Sequence, residues 1–388
     1  MRIIVHIGHY KTGTTSLQRR FTDHREALAE QGVVYPDLGE LHNANGSLLP
    51  SHSALPFEML RRREIQVPRW YQELIDASPA PPTIESMAAA LQRAVDHAGD
   101  RDVLLSSEEL MRFGAGGRHE GLVDELAELL GDHQVRIFCH LRRPDLHLPS
   151  WYNQLVKLSA RRANLSESVE AYFDKVHVDY AMALRPWVER FGTDNVVVHR
   201  YERRDGDVTD DLLRAFGHEV TLPPGSEVWE NTRFPDVFIE TLRIWNDLRP
   251  TPPVDNRFRR ILQQLAEEPE LRDLRIEFLT PAARKRLHAR CVEMSAELDE
   301  LLGRTTPLFD DLDEMLVAPK GSTRDIDANA RFAPLALERL VDTDAAPQGT
   351  HAARHLGTDT DHGAEGPIGI LRRTGSSLVR RVRARLAR

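Results

Sequence analysis

The sequence is poor in cysteine and lysine. It contains two cysteines, so a scaffold held together by several disulfides is excluded. One of them, Cys139, lies in an apolar run, where we expect a buried free thiol. Only five of the 51 basic residues are lysines, and the net charge is −9. A nucleic-acid-binding protein usually carries a net basic surface, so the charge favours no nucleic-acid partner.

Long hydrophobic runs are also lacking. No stretch reaches the roughly 18 apolar residues of a membrane span. Met1 and Arg2 lead directly into a short apolar segment rather than a signal peptide. We therefore expect a cytoplasmic protein, and hydrophobic residues, at 41% of the chain, suffice for a packed core.

Four short β-branched runs alternate with longer segments of helical periodicity. Each run is continuously apolar, which is typical of a strand buried on both faces of a parallel sheet. The alternation predicts a three-layer α/β fold, with a central parallel sheet flanked by helices. The predicted strands are Arg2–Ile7, Asp102–Leu105, Gln134–Leu141 and Asn195–His199, and the predicted helices between them are Thr14–Gln31, Ile84–Ala98, Gly121–Leu130, Asp145–Leu158 and Tyr180–Phe191.

The rest of the chain differs in character. We assign residues 1–317 to one domain, whose part from about 205 to 317 reads as helical. Residues 36–82 show little periodicity and are interpreted as part of an acceptor-binding lid. Residues 318–365 contain few large apolar side chains, which predicts a disordered linker, with Leu335–Val341 as a candidate short helix.

The last segment, Gly366–Arg388, contains seven arginines and no acidic residue. Its apolar side chains fall close to one helical face, which predicts a disordered or amphipathic basic tail. Such a tail either contacts anionic lipid or an acidic partner, or is solvated without a specific role. The first alternative favours a peripheral membrane contact and a lipid-linked acceptor.

A phosphate-binding pattern follows the first predicted strand. The segment from Gly8 to Ser16 reads GHYKTGTTS, a Gly-containing polar loop that opens a helix. Backbone N–H groups and the positive end of the helix then point at one spot, which suits a phosphate. The spacing differs from the Walker A motif, because Thr14 occupies the lysine position and Lys11 lies before Gly13. This shift disfavours a P-loop kinase or NTPase.

A second pattern follows the third predicted strand. Arg142 ends the strand, Pro144 suits the first turn of a helix, and Ser150 lies eight residues after the arginine. A guanidinium and a hydroxyl together can hold a phosphate. The neighbouring Arg143 has no role that the sequence assigns.

Together the two patterns resemble the donor-binding motifs of bacterial-type sulfotransferases that use 3′-phosphoadenosine 5′-phosphosulfate (PAPS). The resemblance covers about residues 1–250 and implies a P-loop-like fold. It implies that Lys11 contacts the bridging and sulfuryl oxygens, and that Arg142 and Ser150 hold the 3′-phosphate. It further implies that the loop binds the 5′-phosphate through Lys11, Thr12, Gly13, Thr14, Thr15 and Ser16. Tyr10 replaces the proline that often precedes the lysine.

Sulfuryl transfer needs a general base for the acceptor proton. Glu108 and Glu109 follow the second predicted strand, at the edge where α/β sheets place ligands, and Glu108 is slightly preferred. Each could instead be an acid at the start of a helix. The rival bases are His9, His42, His52 and His140.

We therefore expect a sulfotransferase that acts on a carbohydrate, a glycolipid or a small metabolite and releases 3′-phosphoadenosine 5′-phosphate (PAP). The alternatives are a P-loop kinase or NTPase and a non-catalytic binding protein that retains the fold. The seventeen histidines show no spacing typical of a metal site, so no metal is predicted.

Overall fold

A computed structural model describes residues 1–39, 41, 51–158, 162–202, 208–220, 222–223, 234–248 and 256–345. The chain divides into two compact units. The first comprises Met1–Leu148, Val169–Glu230 and Lys285–Leu316, and the second comprises Pro149–Ser168, Asn231–Arg284 and Val317–Arg388. The prediction of one domain over residues 1–317 stays a prediction, because compact units are not by themselves separate domains. The chain passes from one unit to the other several times, so no shift in composition marks a boundary.

The first unit contains a five-stranded parallel sheet. Its strands are β1 (Ile3–His6), β2 (Val33–Val34), β3 (Asp102–Ser106), β4 (Val135–Leu141) and β5 (Val196–Arg200). Their order across the sheet is β2-β3-β1-β4-β5, and every neighbouring pair is parallel. The predicted α/β class and the four predicted strands are confirmed. β2 was not predicted, because two residues carry no periodicity.

β1 lies in the middle of this sheet. Ile3 and Val5 join one hydrophobic core, and Ile4 joins another, with Leu17 and Phe21. All of these side chains are fully buried. The continuous hydrophobicity of β1 thus follows from burial on both faces, as predicted.

Helices surround the strands and make up most of the second unit. None of the described helices is both long and apolar enough to cross a membrane. Their bounds are α1 (Thr14–Asp23), α2 (Arg25–Glu30), α3 (Ala54–Arg62), α4 (Arg69–Ala77), α5 (Ile84–Ala98), α6 (Leu122–Leu130), α7 (Pro144–Lys157), α8 (Leu165–Ser168), α9 (Tyr180–Phe191), α10 (Val208–Ala215), α11 (Ile239–Leu248), α12 (Asn256–Ala266), α13 (Pro269–Arg272), α14 (Pro281–Leu301) and α15 (Asp325–Ala345).

Residues 36–82 are more regular than the sequence indicated, and their role in an acceptor-binding lid stays a prediction. They contain α3 and α4, and positions 40 and 42–50 lie outside the described residues. α3 buries Leu55, Phe57 and Leu60, and α4 buries Tyr71. These two helices are about two turns each, too short for a clear repeat in the sequence, and burial of their apolar faces stabilises them.

The predicted linker is also corrected over its first part. Strand β7 (Thr323–Arg324) pairs with β6 (Ile276–Glu277), and the 21-residue α15 follows at once and includes the candidate helix Leu335–Val341. The buried apolar side chains of α15 are mainly small. The scarcity of large apolar residues therefore wrongly indicated a disordered linker. The buried hydrophobic residues are Ala328, Phe332, Ala333, Ala336 and Leu337, and the polar Asp325 and Asn329 are buried as well. Residues 346–365 and the tail 366–388 lie outside the described residues.

Candidate functional site

Three of the predicted site segments follow adjacent strands. The loop with Lys11 follows β1, Glu108 and Glu109 follow β3, and Arg142 follows β4. β1 pairs with β3 on one side and with β4 on the other, both in parallel. The carboxyl ends of parallel strands meet at one edge of a sheet, so these segments lie together there. Ser150 lies farther along α7, in the second unit, and its pairing with Arg142 stays a prediction.

The backbone of the phosphate loop turns sharply at three positions. Gly8, Lys11 and Gly13 have φ angles of 75°, 63° and 81°. Lysine is rarely found in this left-handed region, which costs about 1–2 kcal/mol for a residue with a Cβ atom. Backbone strain of this kind concentrates at functional sites. The conformation of Lys11 therefore marks this loop as a candidate site independently of its sequence.

Gly8 lets the loop lie directly against the acidic segment. A Cβ atom at Gly8 would be 2.8 Å from Cα of Glu108, closer than real Cβ contacts allow. The thiol of the buried Cys139 on β4 donates a hydrogen bond to the carbonyl of Gly8. The prediction of a buried free thiol at Cys139 is confirmed, and the loop contacts both neighbouring strands.

The amino terminus of α1 is open to an anion. Gly13 is the N-cap residue and has no side chain that could cap the helix, and the first turn holds no acidic residue. Thr12 turns inward and donates its hydroxyl hydrogen to the carbonyl of His9, with 2.6 Å between the oxygens. Thr14 is buried, Thr15 is partly exposed and Ser16 is exposed. The first-turn amides have no acceptor within the helix, so they can bind a phosphate.

Glu108 is held by a glutamine of α1. Gln18 donates its amide hydrogens to Glu108 Oε2 over 2.9 Å and to Ser106 Oγ over 3.3 Å. Gln18 is itself buried. No local pattern could have identified this residue, because nothing in its spacing links α1 to the end of β3.

Glu109 occupies a different environment. Its side chain is 14% exposed and lies 3.5 Å from the guanidinium of Arg112. The Tyr10 hydroxyl donates to Glu109 Oε2 over 2.8 Å. Burial, followed by the charge of Glu108, raises the pKa of Glu109 to about 7. A base whose pKa lies near neutral pH is efficient in proton transfer, so the electrostatics favour Glu109 over Glu108.

The two neighbouring arginines have different surroundings. Arg142 is partly exposed, its guanidinium lies 5.7 Å from the ring centre of Tyr201, and its carbonyl accepts the hydroxyl of Tyr180. Arg143 is buried, with ion pairs to Asp145 at 2.8 Å and Asp311 at 2.5 Å. Arg143 therefore stabilises the fold, whereas Arg142 remains the candidate for phosphate binding.

Among the rival bases, His52 and His140 have structural partners. His52 Nε2 donates to the carbonyl of Pro36, and its Nδ1 accepts the amide hydrogen of Ser106, so both ring nitrogens are used. His140 is buried and lies 2.8 Å from Asp211. His42 lies outside the described residues.

His9, the remaining rival, belongs to a cluster that the sequence analysis missed. His147 on α7 and His177 before α9 pack around it, with ring centres 4.4 Å and 5.6 Å from that of His9. His9 and His147 are fully buried, and His177 is partly buried. The three residues lie 138 and 30 positions apart, so no spacing motif could have revealed them.

The first unit also has a pocket of about 360 Å³. It is lined by residues of α6 and α9 and by Phe113 and Gly114, which lie four and five positions after Glu109. No residue of the phosphate loop lines it, and neither do Glu108, Glu109 and Arg142. The pocket therefore shares no lining residue with the predicted site.

Comparison with known proteins adds three findings. No known family profile matches the chain. A protein of Archaeoglobus fulgidus described as uncharacterized is 34% identical over 95 residues, and the match covers 24% of each chain, so this chain spans about a quarter of that relative. The crystal structure of a sulfotransferase from Alicyclobacillus acidocaldarius is 16% identical, covers 79% of this chain and 97% of its own, and gives a TM-score of 0.39. A score of this size carries no argument about function, which rests on the site itself.

Proposed function

We propose that this protein is a sulfotransferase that transfers the sulfuryl group of PAPS to a hydroxyl or amine. The observation that carries the proposal is the loop from Lys11 to Ser16. It combines the sequence of a 5′-phosphosulfate loop with a strained backbone at Lys11 and an uncapped helix terminus. An anionic donor complements all three features.

The residues at the sheet edge fit the reaction. The acceptor oxygen or nitrogen forms a bond to sulfur as the bond from sulfur to the 5′-phosphate oxygen breaks, which releases PAP. Glu109 takes the acceptor proton, and Lys11 together with the loop amides stabilises the charge that develops on the leaving oxygen. Arg142 holds the 3′-phosphate. The acceptor is a carbohydrate, a glycolipid or a small metabolite.

A P-loop kinase is the main competitor. In that class the lysine after the second glycine reaches the β- and γ-phosphates. Here Thr14 stands at that position and begins α1, while Lys11 lies three residues earlier. This geometry favours a donor whose reactive group is attached directly to the 5′-phosphate.

Calorimetry with PAP, without added metal, tests the donor site, with ATP as the comparison ligand. Lys11→Ala and Arg142→Ala remove the two proposed cations. Lys285→Ala and Arg93→Ala serve as controls, because both side chains are exposed on helices, α14 and α5, outside the predicted site segments. Loss of a charged contact weakens binding by about 1.5–3 kcal/mol, or about 10- to 150-fold. Arg142→Ala should have the larger effect, because PAP keeps the 3′-phosphate and lacks the sulfuryl group.

Preference for PAP over ATP, reduced in Arg142→Ala and retained in both controls, supports the proposal. Binding of ATP that depends on Mg²⁺, without binding of PAP, would place the protein with the NTPases. Slow release of sulfate from PAPS to water reports turnover without an acceptor. Binding of PAP without any such release would favour a non-catalytic protein that has kept the fold.

A further inference from the structure

The histidine cluster has the composition of a metal site. One ring nitrogen of each of His9, His147 and His177 lies within 4.8 Å of one nitrogen of each of the others. His147 Nε2 is 3.1 Å from His177 Nδ1. Two imidazoles bound to one tetrahedral Zn²⁺ at the usual bond length have their nitrogens about 3.3 Å apart. Small side-chain rotations would therefore bring the rings into coordination.

His9 is oriented as a metal-binding histidine usually is. Its Nε2 lies 2.7 Å from the carbonyl oxygen of Val176. A neutral imidazole carries one N–H, and this short contact assigns it to Nε2. Ligating histidines commonly donate their second nitrogen to a backbone carbonyl in this way. His9 Nδ1 then carries a lone pair that lies 3.2 Å from the carbonyl oxygen of Tyr10, which cannot donate to it.

Hydrogen bonding alone does not satisfy this cluster. His147 Nδ1 is buried and has no hydrogen-bond partner among the described residues. If His147 donates from Nε2 to His177, Nδ1 is a buried lone pair. If it accepts there, Nδ1 is a buried N–H without an acceptor. Buried polar atoms are normally satisfied. A metal ion bound at Nδ1 would satisfy the lone pair of the first case, whereas one bound at Nε2 would leave the N–H of the second case unpaired.

The surroundings of the cluster are partly cationic. Lys11 and Arg142 act electrostatically on His147. Their positive charge opposes a cation at the rings unless an anion binds with it, so we expect an anionic oxygen as the fourth ligand.

We propose that His9, His147 and His177 bind one divalent transition-metal ion, Zn²⁺ above all, through one nitrogen each. Imidazole ligands suit this class of metal, and three histidines with an open fourth position are a known catalytic arrangement. His9 lies two residues before Lys11, so the bound ion would hold the phosphate loop in place. Metal binding itself does not depend on the sulfotransferase proposal.

The test is a titration of the tag-free full chain with Co²⁺ after treatment with a chelator. Tetrahedral Co²⁺ absorbs in the visible range, and Zn²⁺ should displace it. We expect one equivalent to bind. His9→Ala, His147→Ala and His177→Ala should each weaken binding by more than about 100-fold, since loss of a mere outer partner already costs 10- to 100-fold. His97→Ala is the control, because His97 lies exposed on α5.

Circular dichroism of each metal-free variant separates loss of a ligand from loss of the fold. His177→Ala is the critical variant, because His177 is the least buried of the three and its replacement should leave the fold intact. Absence of stoichiometric Co²⁺ binding to the wild type would overturn the proposal. Equal binding to the wild type and His177→Ala would do so as well. Neither outcome bears on whether PAP binds.

Discussion

The hydroxyl of Tyr10 donates a hydrogen bond to Glu109, with 2.8 Å between Oη and Oε2. Tyr10 belongs to the phosphate loop after β1, and Glu109 follows β3. The bond therefore links the segment that would hold the donor to the carboxylate that would activate the acceptor. Because the bond stabilises the charged form of Glu109, it opposes the rise in pKa that burial causes.

The first prediction concerns pH. Glu109 acts as a base only when ionised, so turnover should rise with pH and level off above the pKa of Glu109, about 7. Tyr10→Phe removes the hydrogen bond, so the pKa of Glu109 rises and the rising limb moves to higher pH. Rates of PAPS turnover measured from pH 5 to about 9 check this shift.

Glu109→Gln is the companion variant. It should lower the rate by about 10²- to 10⁴-fold and abolish the limb. A carboxyl whose pKa is raised in the folded state loses stability as pH rises from its ordinary value through the folded one. Glu109→Gln should therefore be more stable than wild type at pH 8 and not at pH 4. If the turnover rate of Glu109→Gln still rose with pH as in the wild type, another group would be the base.

The second prediction concerns Gly8. Alanine there would place a Cβ atom 2.8 Å from Cα of Glu108 at a φ of +75°. We expect Gly8→Ala to lower the free energy of unfolding by about 2–4 kcal/mol. Gly217→Ala is the matched control, since Gly217 has a φ of +82° and nothing within 4 Å of the added atom. Gly217→Ala should lower the free energy of unfolding by about 1 kcal/mol. If urea denaturation gave equal losses for Gly8→Ala and Gly217→Ala, the close approach at Gly8 would be contradicted.

The third prediction separates strain from binding at Lys11. Both Lys11→Gly and Lys11→Ala lose the cation, but only glycine tolerates a φ of 63° without strain. Lys11→Gly should be more stable than Lys11→Ala by about 1 kcal/mol, with the same loss of donor affinity. Glu64, at a φ of 55°, provides the comparison outside the site. Glu64→Gly and Glu64→Ala should differ in stability in the same way, and both should leave donor affinity unchanged.

The fourth prediction distinguishes the two adjacent arginines. The Arg143 side chain is 7% exposed and lies between carboxylates. Arg143→Ala removes the ion pair of the buried Asp145 carboxylate, whereas Asp311 keeps its ion pair with Arg200. We expect a loss of about 3–5 kcal/mol in the free energy of unfolding. Arg62→Ala breaks an ion pair with Glu85 of the same 2.8 Å length whose side chains are 57% and 74% exposed, and it should cost under about 1 kcal/mol.

Donor affinity completes that comparison. Arg142→Ala should weaken binding of PAP and leave stability nearly unchanged. Arg143→Ala should do the reverse, measured at a temperature where the variant is folded. If both variants lost affinity equally, Arg143 would belong to the donor site.

The sequence predicted the central sheet and the loop well because both depend on local patterns. A run such as Ile3-Ile4-Val5 is apolar on both faces wherever it is placed, and Gly13 before a polar helix start is a local signal. The convergence of Lys11, Glu108 and Arg142 then follows from parallel strand order, which the sequence indicated only in part.

What the sequence missed depends on distant contacts. Gln18 holds Glu108 across 90 positions, and His9 meets His147 and His177 only because the chain folds back twice. The pKa of Glu109 depends on burial by surrounding elements, which no local pattern encodes. α15 was missed for a compositional reason, because alanines pack closely without the apolar bulk that sequence patterns emphasise.

The close approach at Gly8 also affects how distant relatives should be interpreted. The atom that a side chain at position 8 would meet is the backbone Cα of residue 108, and every amino acid has one. Position 8 would therefore still require glycine if Glu108 were replaced by another residue. A descendant that had lost its acids, and with them any turnover, would still need this glycine to fold. A glycine at this position would therefore indicate that the close approach is kept, and only the carboxylates would indicate that the chemistry is kept.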